Sequence, residues 1–178
     1  MSCSLTKTSC EALGTALKNN PSKLTELDLS GNNNLQDSGF IHLGDFLKSP
    51  GCRLQTLRLE NCGLSEKCCE VLGSALKINP TNLTELDLSH NKNIQDVGVL
   101  YLHSFFKNLG WRLQTLRLND CSLSSMSCTT LVSALKSNPS YLAELDLKSN
   151  DLQDSDVREL QDLVKNPKFN LQTLRWKD

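Results

Sequence analysis

The chain has 178 residues, a formal net charge of −1 and 22% charged residues, mixed in sign along its length, so its electrostatics make no case for a nucleic-acid or anionic-membrane partner. That length suffices to bury roughly two thirds of the unfolded surface of a globule, somewhat less in an elongated one, and no apolar run approaches a membrane span. Residues 1–20 also lack the continuous apolar stretch of a secretory signal, which makes a cytoplasmic address the expectation.

The chain opens on a helical pattern. Thr6 is a candidate N-cap, Leu13, Ala16 and Leu17 recur at helical spacing behind Cys10, and Asn20-Pro21 stops the run. A strand phrase follows, Leu24-Thr-Glu-Leu27-Asp-Leu29, and then Asn32 at a turn. The second helical pattern has Asp37 as candidate N-cap and Leu43, Phe46 and Leu47 as its inward row. Next comes Leu54-Gln-Thr-Leu57-Arg-Leu59 with Cys62 at the turn, then a helix capped by Ser65, lined by Leu72, Ala75 and Leu76 and stopped at Asn79-Pro80.

From there the pair repeats. Leu83-Thr-Glu-Leu86-Asp-Leu88 and Asn91 precede a helix with Asp96 as candidate cap and Leu102, Phe105 and Phe106 inward. Leu113-Gln-Thr-Leu116-Arg-Leu118 and Cys121 precede a helix capped by Ser124, lined by Leu131, Ala134 and Leu135, and stopped at Asn138-Pro139. Leu142-Ala-Glu-Leu145-Asp-Leu147 and Asn150 lead into a helix with Asp154 as candidate cap and Leu160, Leu163 and Val164 inward. The last phrase is Leu171-Gln-Thr-Leu174-Arg-Trp176. Phe106 aligns with Leu47 and Val164, and Trp111 with Cys52 and Phe169, all expected core positions, whereas Tyr101 aligns with His42 and Glu159 and is expected to face solvent.

Successive first leucines lie 30, 29, 30, 29 and 29 residues apart. The longer steps come from Asn32-Asn-Asn-Leu35 and Asn91-Lys-Asn-Ile94, each one residue longer than Asn150-Asp-Leu152. A period of this length with Leu-x-x-Leu-x-Leu marks the leucine-rich repeat, one strand and one helix per coil. Neighbouring strands stack about 4.8 Å apart and helices about 8 to 10 Å apart, so the stack must curve. The expected fold is α/β, a right-handed solenoid arc with six parallel strands on the concave face and six helices on the convex one. The expected organisation is a single domain over 1–178: a half coil 1–23, coils starting near 24, 54, 83, 113 and 142, and a terminal strand 171–178.

Eight cysteines follow the repeat. Cys3, Cys62 and Cys121 are 59 residues apart, as are Cys10, Cys69 and Cys128, so equivalent thiols lie two coils apart, beyond the ~7 Å Cα separation a disulfide allows. They are expected to be small buried hydrophobes. Cys68-Cys69 has no C-x-x-C partner and His42, His90 and His103 fall at unrelated positions, so no metal is expected. No phosphate-cradling glycine motif occurs, so no cofactor is expected either. His90 near Asp87 and Asp120 is the one arrangement resembling an acid–base pair, and without a convergent nucleophile no catalytic residue is assigned.

Binding residues are sought on the sheet face. Its fifth-position column reads Asp28, Arg58, Asp87, Arg117, Asp146, Arg175, and its third-position column Glu26, Thr56, Glu85, Thr115, Glu144, Thr173. Two readings stand: a self-neutralising ladder of lateral Asp–Arg pairs, or a preformed charged docking surface. Positions seven and eight, at the rim, vary most from coil to coil. The candidate partner-binding set is Glu26, Asp28, Arg58, Glu60, Glu85, Asp87, His90, Arg117, Asn119, Glu144, Asp146, Lys148, Arg175 and Lys177.

With these residues in place, the chain resembles the ribonuclease-inhibitor-like class of leucine-rich repeats, in which asparagine-type and cysteine-type coils alternate. Ser74-Ala-Leu-Lys-Ile-Asn-Pro-Thr-Asn-Leu83-Thr-Glu-Leu-Asp-Leu-Ser and Leu152-Gln-Asp-Ser-Asp look like the repeat domains of NOD-like receptors, particularly the fish-type set. The resemblance implies a non-enzymatic module, C-terminal to a nucleotide-binding NACHT module in that family, which helps hold a cytosolic receptor inactive and takes part in ligand sensing in innate immunity. Its partner would be a protein or another domain of the same receptor, and neither nucleic acid nor membrane. Two alternatives stay open: a free-standing protein similar to ribonuclease inhibitor, and a fragment of a Ran-type GTPase-activating protein. Met1 and Ser2 align with Asn119 and Asp120, as do Lys177 and Asp178, so both ends fall inside a coil. This phase fits a segment of a longer array, with Trp176 as a bulky lid, or head-to-tail association between copies.

Overall fold

The computed structural model describes residues 5–19, 23–78, 83–106, 112–137 and 141–177. Cys3, Trp111, Asp178 and the helix stops at Pro21, Pro80 and Pro139 lie outside them, and nothing is described of the Phe105 side chain. Strand and helix alternate throughout. The order is α1 Lys7–Asn19, β1 Glu26–Asp28, α2 Gln36–Lys48, β2 Thr56–Arg58, α3 Glu66–Ile78, β3 Glu85–Asp87, α4 Gln95–Phe106, β4 Thr115–Arg117, α5 Ser125–Ser137, β5 Glu144–Asp146, α6 Asp154–Lys165 and β6 Thr173–Arg175.

Each strand covers the third to fifth positions of its leucine phrase, and all six pair in parallel in chain order β1-β2-β3-β4-β5-β6. Alternation along a strand turns one face inward and the other outward. The fourth-position leucines therefore stack in register, Leu27 on Leu57, Leu57 on Leu86, and so on to Leu174, while the charged third and fifth positions share the outer face. Sixth-position Leu59, Leu88, Leu118 and Leu147 are fully buried. The chain is an α/β leucine-rich-repeat solenoid, with one continuous apolar core between the sheet and the helices.

Hydrogen bonding continues past the strands. At the seventh and eighth positions Gly31 N donates to Glu60 O, Asn61 N to Ser89 O, His90 N to Asn119 O and Asp120 N to Lys148 O, at 2.7 to 3.0 Å. To make that turn the eighth residue sits in the left-handed region, with φ 77° at Gly31 and 52°, 60°, 48° and 55° at Asn61, His90, Asp120 and Ser149. Glycine, asparagine, aspartate and histidine are the residues that best tolerate it.

At the turns the two spellings do different work. Asn91 Oδ1 accepts from Cys62 N and Leu64 N at 3.0 Å, and its amide nitrogen donates to Leu59 O, Leu88 O and Ser89 O. Asn150 repeats this set one pair later. Cysteine at the same place points its thiol at the preceding coil, Cys62 to Leu29 O at 3.0 Å and Cys121 to Leu88 O at 3.3 Å. Backbone groups that no strand reaches are thus satisfied in both coil types. The seven described cysteines are free and buried. Burial pushes the Cys62 and Cys128 thiols up to about 11 and Cys121 to about 12, which keeps them protonated and unreactive.

Thr6, Ser65 and Ser124 each precede a helix, and their hydroxyls accept from Ser9 N, Lys67 N and Met126 N. The expected aspartate caps are displaced. Helices α2 and α4 begin at Gln36 and Gln95, one residue ahead of Asp37 and Asp96, and each carboxylate reaches the next coil instead. Asp37 accepts from Ser65 N and Oγ, and Asp96 from Ser124 N and Oγ and from Ser127 Oγ. Partial burial pushes the Asp96 carboxyl up, but its serine hydrogen bonds more than offset this and hold it below the usual carboxylate range. Asp154 is the first residue of α6, and Asp156 does the capping by accepting from Gln153 N at 2.8 Å. The inward row of α1 also departs from expectation: Leu13 and Leu17 are half-buried and Ala16 is exposed, because among the described elements α2 alone packs on that helix.

Candidate binding face

The outer face of the sheet carries the charges named above, in a pairing other than the expected Asp–Arg ladder. Although Asp28, Arg58, Asp87, Arg117, Asp146 and Arg175 are lateral neighbours in register, the arginines reach diagonally to the glutamates. Arg58 binds Glu26 and Glu85, Arg117 binds Glu85 at 2.6 Å and lies 3.8 Å from Glu144, and Arg175 binds Glu144. The result is a zigzag: Glu26, Arg58, Glu85, Arg117, Glu144, Arg175. At its far end an arginine also comes within ion-pair distance of an aspartate, Arg175 to Asp146 at 3.8 Å.

Side-chain length explains the diagonal. A glutamate spans the gap to the guanidinium of the next coil, while the shorter aspartate folds onto its own turn: Asp28 accepts from Ser30 N at 2.9 Å, Asp87 from Ser89 N at 2.9 Å and Asp146 from Lys148 N at 3.2 Å. Partial burial pushes the Glu85 carboxyl up, and the hydrogen bonds from Arg58 and Arg117 overcome it and hold the group below its usual range. Burial and the Ser30 hydrogen bonds oppose each other in the same way at Asp28, with a net lowering. Hydrogen bonds to Glu85 and Glu26 push Arg58 up. The zigzag is thus a network of charge-assisted bonds that fixes the guanidiniums on a rigid sheet.

Beyond the strand ends lies the rim. Glu60 is exposed, and Asn119 turns toward Asp146, its amide nitrogen 2.7 Å from Asp146 Oδ1 once the amide is oriented to donate. Lys148 is half-buried, and Lys177 lies 2.7 Å from Asp154 and 4.4 Å above the Trp176 ring. His90 stands between coils, with Nδ1 3.2 Å from Asp120 Oδ2 and Nε2 3.8 Å from Glu60 Oε1. Asp87, expected beside it, is engaged by the turn at Ser89.

The repeat-position columns left part of the rim out of the candidate set. Lys92 lies 3.4 Å from Asp120, and Asn33 and Lys92 both border an open cleft of about 560 Å³ whose lining also holds Glu60, Asn61, His90 and Asp120. Asn33 and Lys92 belong to the two longer turns, so the insertions in the 59-residue pair were the signal for them. Among the described residues no cluster of three or more histidine, cysteine, aspartate or glutamate side chains is placed to hold a metal ion. None of their helices is long and apolar enough to cross a membrane.

Comparison with known proteins agrees with this geometry. A leucine-rich-repeat family model matches residues 20–43, 79–102 and 138–160, the three asparagine-type units. The chain is 43% identical over 99% of its length to NACHT, LRR and PYD domains-containing protein 12 of Mus musculus, and 44% identical over 96% to NACHT, LRR and PYD domains-containing protein 3 of Bos taurus. It is 39% identical over 97% of its length to ribonuclease inhibitor of Sus scrofa. The chain spans 16% of each of the first two proteins and 37% of the third.

Proposed function

This chain is a leucine-rich-repeat domain of the ribonuclease-inhibitor-like class, similar to NACHT, LRR and PYD proteins and to ribonuclease inhibitor, and we propose that it is the ligand-sensing and autoinhibitory module of a cytosolic innate immune receptor. Its activity is to bind protein, not to catalyse. The observation that carries the reading is the division of labour on the sheet side. The Arg–Glu zigzag repeats with the coils and holds a charged array rigid, while the seventh position changes from Ser30 to Glu60, Ser89, Asn119, Lys148 and Lys177. A scaffold that repeats beneath a rim that does not is how a solenoid acquires one partner.

Titration calorimetry of the chain against a NACHT-containing receptor fragment without its own repeats tests this. Saturable binding that is lost on Lys148→Glu with Glu60→Lys is expected. Unchanged binding by that double variant rejects the rim as the partner-selecting surface, and absence of binding rejects the autoinhibitory role. The similarity to a ribonuclease inhibitor favours a second reading, a free-standing enzyme inhibitor, and tight inhibition of a ribonuclease by the chain would establish it.

A further inference from the structure

The rim of the second coil is flanked on both sides by extra chain. Coils one and three each carry one more turn residue than coil five, at Asn32-Asn-Asn-Leu35 and Asn91-Lys-Asn-Ile94. The fold does not need them, since Asn150 makes the same turn bonds as Asn91 in the shorter loop. In the longer loop the Asn33 carbonyl comes so close to coil two that a Cβ at Gly63 would lie 2.6 Å from it, and Gly63 is in the left-handed region with φ 65°. Asn93 closes the other side, bridged to Ser65 in parallel. Between these walls is the cleft of about 560 Å³, within the ~300 to 1,000 Å³ range of small-ligand sites.

Its charge is unevenly spent. Asp120 has Lys92 at 3.4 Å and His90 at 3.2 Å, so cationic or donor groups already face it. The Glu60 carboxylate has His90 Nε2 at 3.8 Å, beyond hydrogen-bond length, and its side chain is 47% exposed. Asn33 and Asn61 line the same cleft. A carboxylate with acceptor capacity to spare, at an open cleft that asparagines also line, matches the donors of a lysine or arginine side chain.

We propose that this rim cleft is a binding site for a single cationic side chain, a lysine or arginine presented by the partner, with Glu60 as its acceptor and the two inserted turns as its walls. This deepens the protein-binding reading and rests on it only for the source of the cation. A charge pair in a cleft orients a partner more than it holds one, so the site sets register while the wider face supplies area.

The test uses the chain alone, with N-acetyl-arginine amide as probe, followed by two-dimensional NMR at fixed ionic strength, with N-acetyl-aspartate amide and N-acetyl-norleucine amide as controls. Saturable shifts centred on Asn33, Asn61, Glu60 and His90 are expected for the arginine probe alone, with affinity roughly tenfold weaker in Glu60→Gln. Glu60 is exposed, so the variant should fold, and an unchanged circular dichroism spectrum verifies that. Shifts shared with either control, shifts centred on Glu26 and Glu85, or equal affinity in Glu60→Gln would each overturn the assignment. Because no receptor fragment is present, this outcome is independent of whether the calorimetric experiment succeeds.

Discussion

Helices α1 and α3 are written in nearly the same letters, Glu11-Ala-Leu-Gly-Thr-Ala-Leu-Lys against Glu70-Val-Leu-Gly-Ser-Ala-Leu-Lys. In α3, Leu72, Ala75 and Leu76 are at most 1% exposed. In α1 the matching Leu13 and Leu17 are half-buried and Ala16 is exposed. The sheet repeats the contrast, for Leu57 is 1% exposed whereas Leu27 is half-buried. Nothing in the local sequence separates these copies. The difference is that, among the described elements, α3 has α2 and α4 against its flanks and α1 has α2 alone, so a coil's burial is completed by its neighbours rather than by its own leucines.

The largest effect that could break this comparison is a cavity. Leu72→Ala should cost about 3 to 4 kcal/mol in denaturant unfolding and Leu13→Ala about 1 kcal/mol. Equal losses would mean that position in the stack is irrelevant. Next in size is the turn: Asn91→Ala strands the Cys62 and Leu64 amides in the interior and should cost roughly 2 to 3 kcal/mol, while Cys62→Ala, which removes a weak thiol donor, should cost less than about 1 kcal/mol.

Inter-coil capping gives a smaller contrast at one repeat position. Asp96→Ala should cost about 1 to 2 kcal/mol, since it frees three donors of the following coil. Asp154→Ala, whose carboxylate pairs with the exposed Lys177, should cost less than ~0.5 kcal/mol. Comparable values would show that the reach of Asp96 to Ser124 and Ser127 carries no stability. Smallest is the acid response of the zigzag. Because the folded Glu85 carboxyl is depressed, its contribution is complete above the ordinary value of about 4.3 and is lost as pH falls from there through the folded value. Unfolding of wild type against Glu85→Gln should therefore differ by about 1 kcal/mol or less at pH 7 and converge in acid. A constant difference would place the group outside the network.

Much of this was legible in the residues. The alternating phrases yielded the six strands, the inward rows of the helices other than α1 and the burial of the seven described cysteines, because those follow from period and apolar pattern. What was not legible lay between coils. Asp37 and Asp96 have the residue type and spacing of caps for their own helices, and only the stacking shows them bonded one coil ahead. Arginine and aspartate share a column, so pairing along it was the natural expectation. The choice of glutamate depends on side-chain reach and on the competing turn amides, which a column of letters does not show. The rim cleft was similarly hidden: its two insertions were visible as spacing, but their approach to the second coil at Gly63 and Ser65 required the coils to be laid against each other.

By itself the sequence determined the unit. A phrase of leucines two and three apart followed by a helical row can bury its apolar side in one way, and six copies must stack, because the hydrophobic term depends on composition and period. The tertiary structure decided everything that depends on adjacency: which leucines are covered on both sides, which carboxylate each arginine takes, which helix each aspartate caps, and where the turns leave a cleft. Those are contacts between residues about thirty positions apart, and hydrogen bonds and ion pairs are decided by distance and direction, which the repeat supplies only once it is folded.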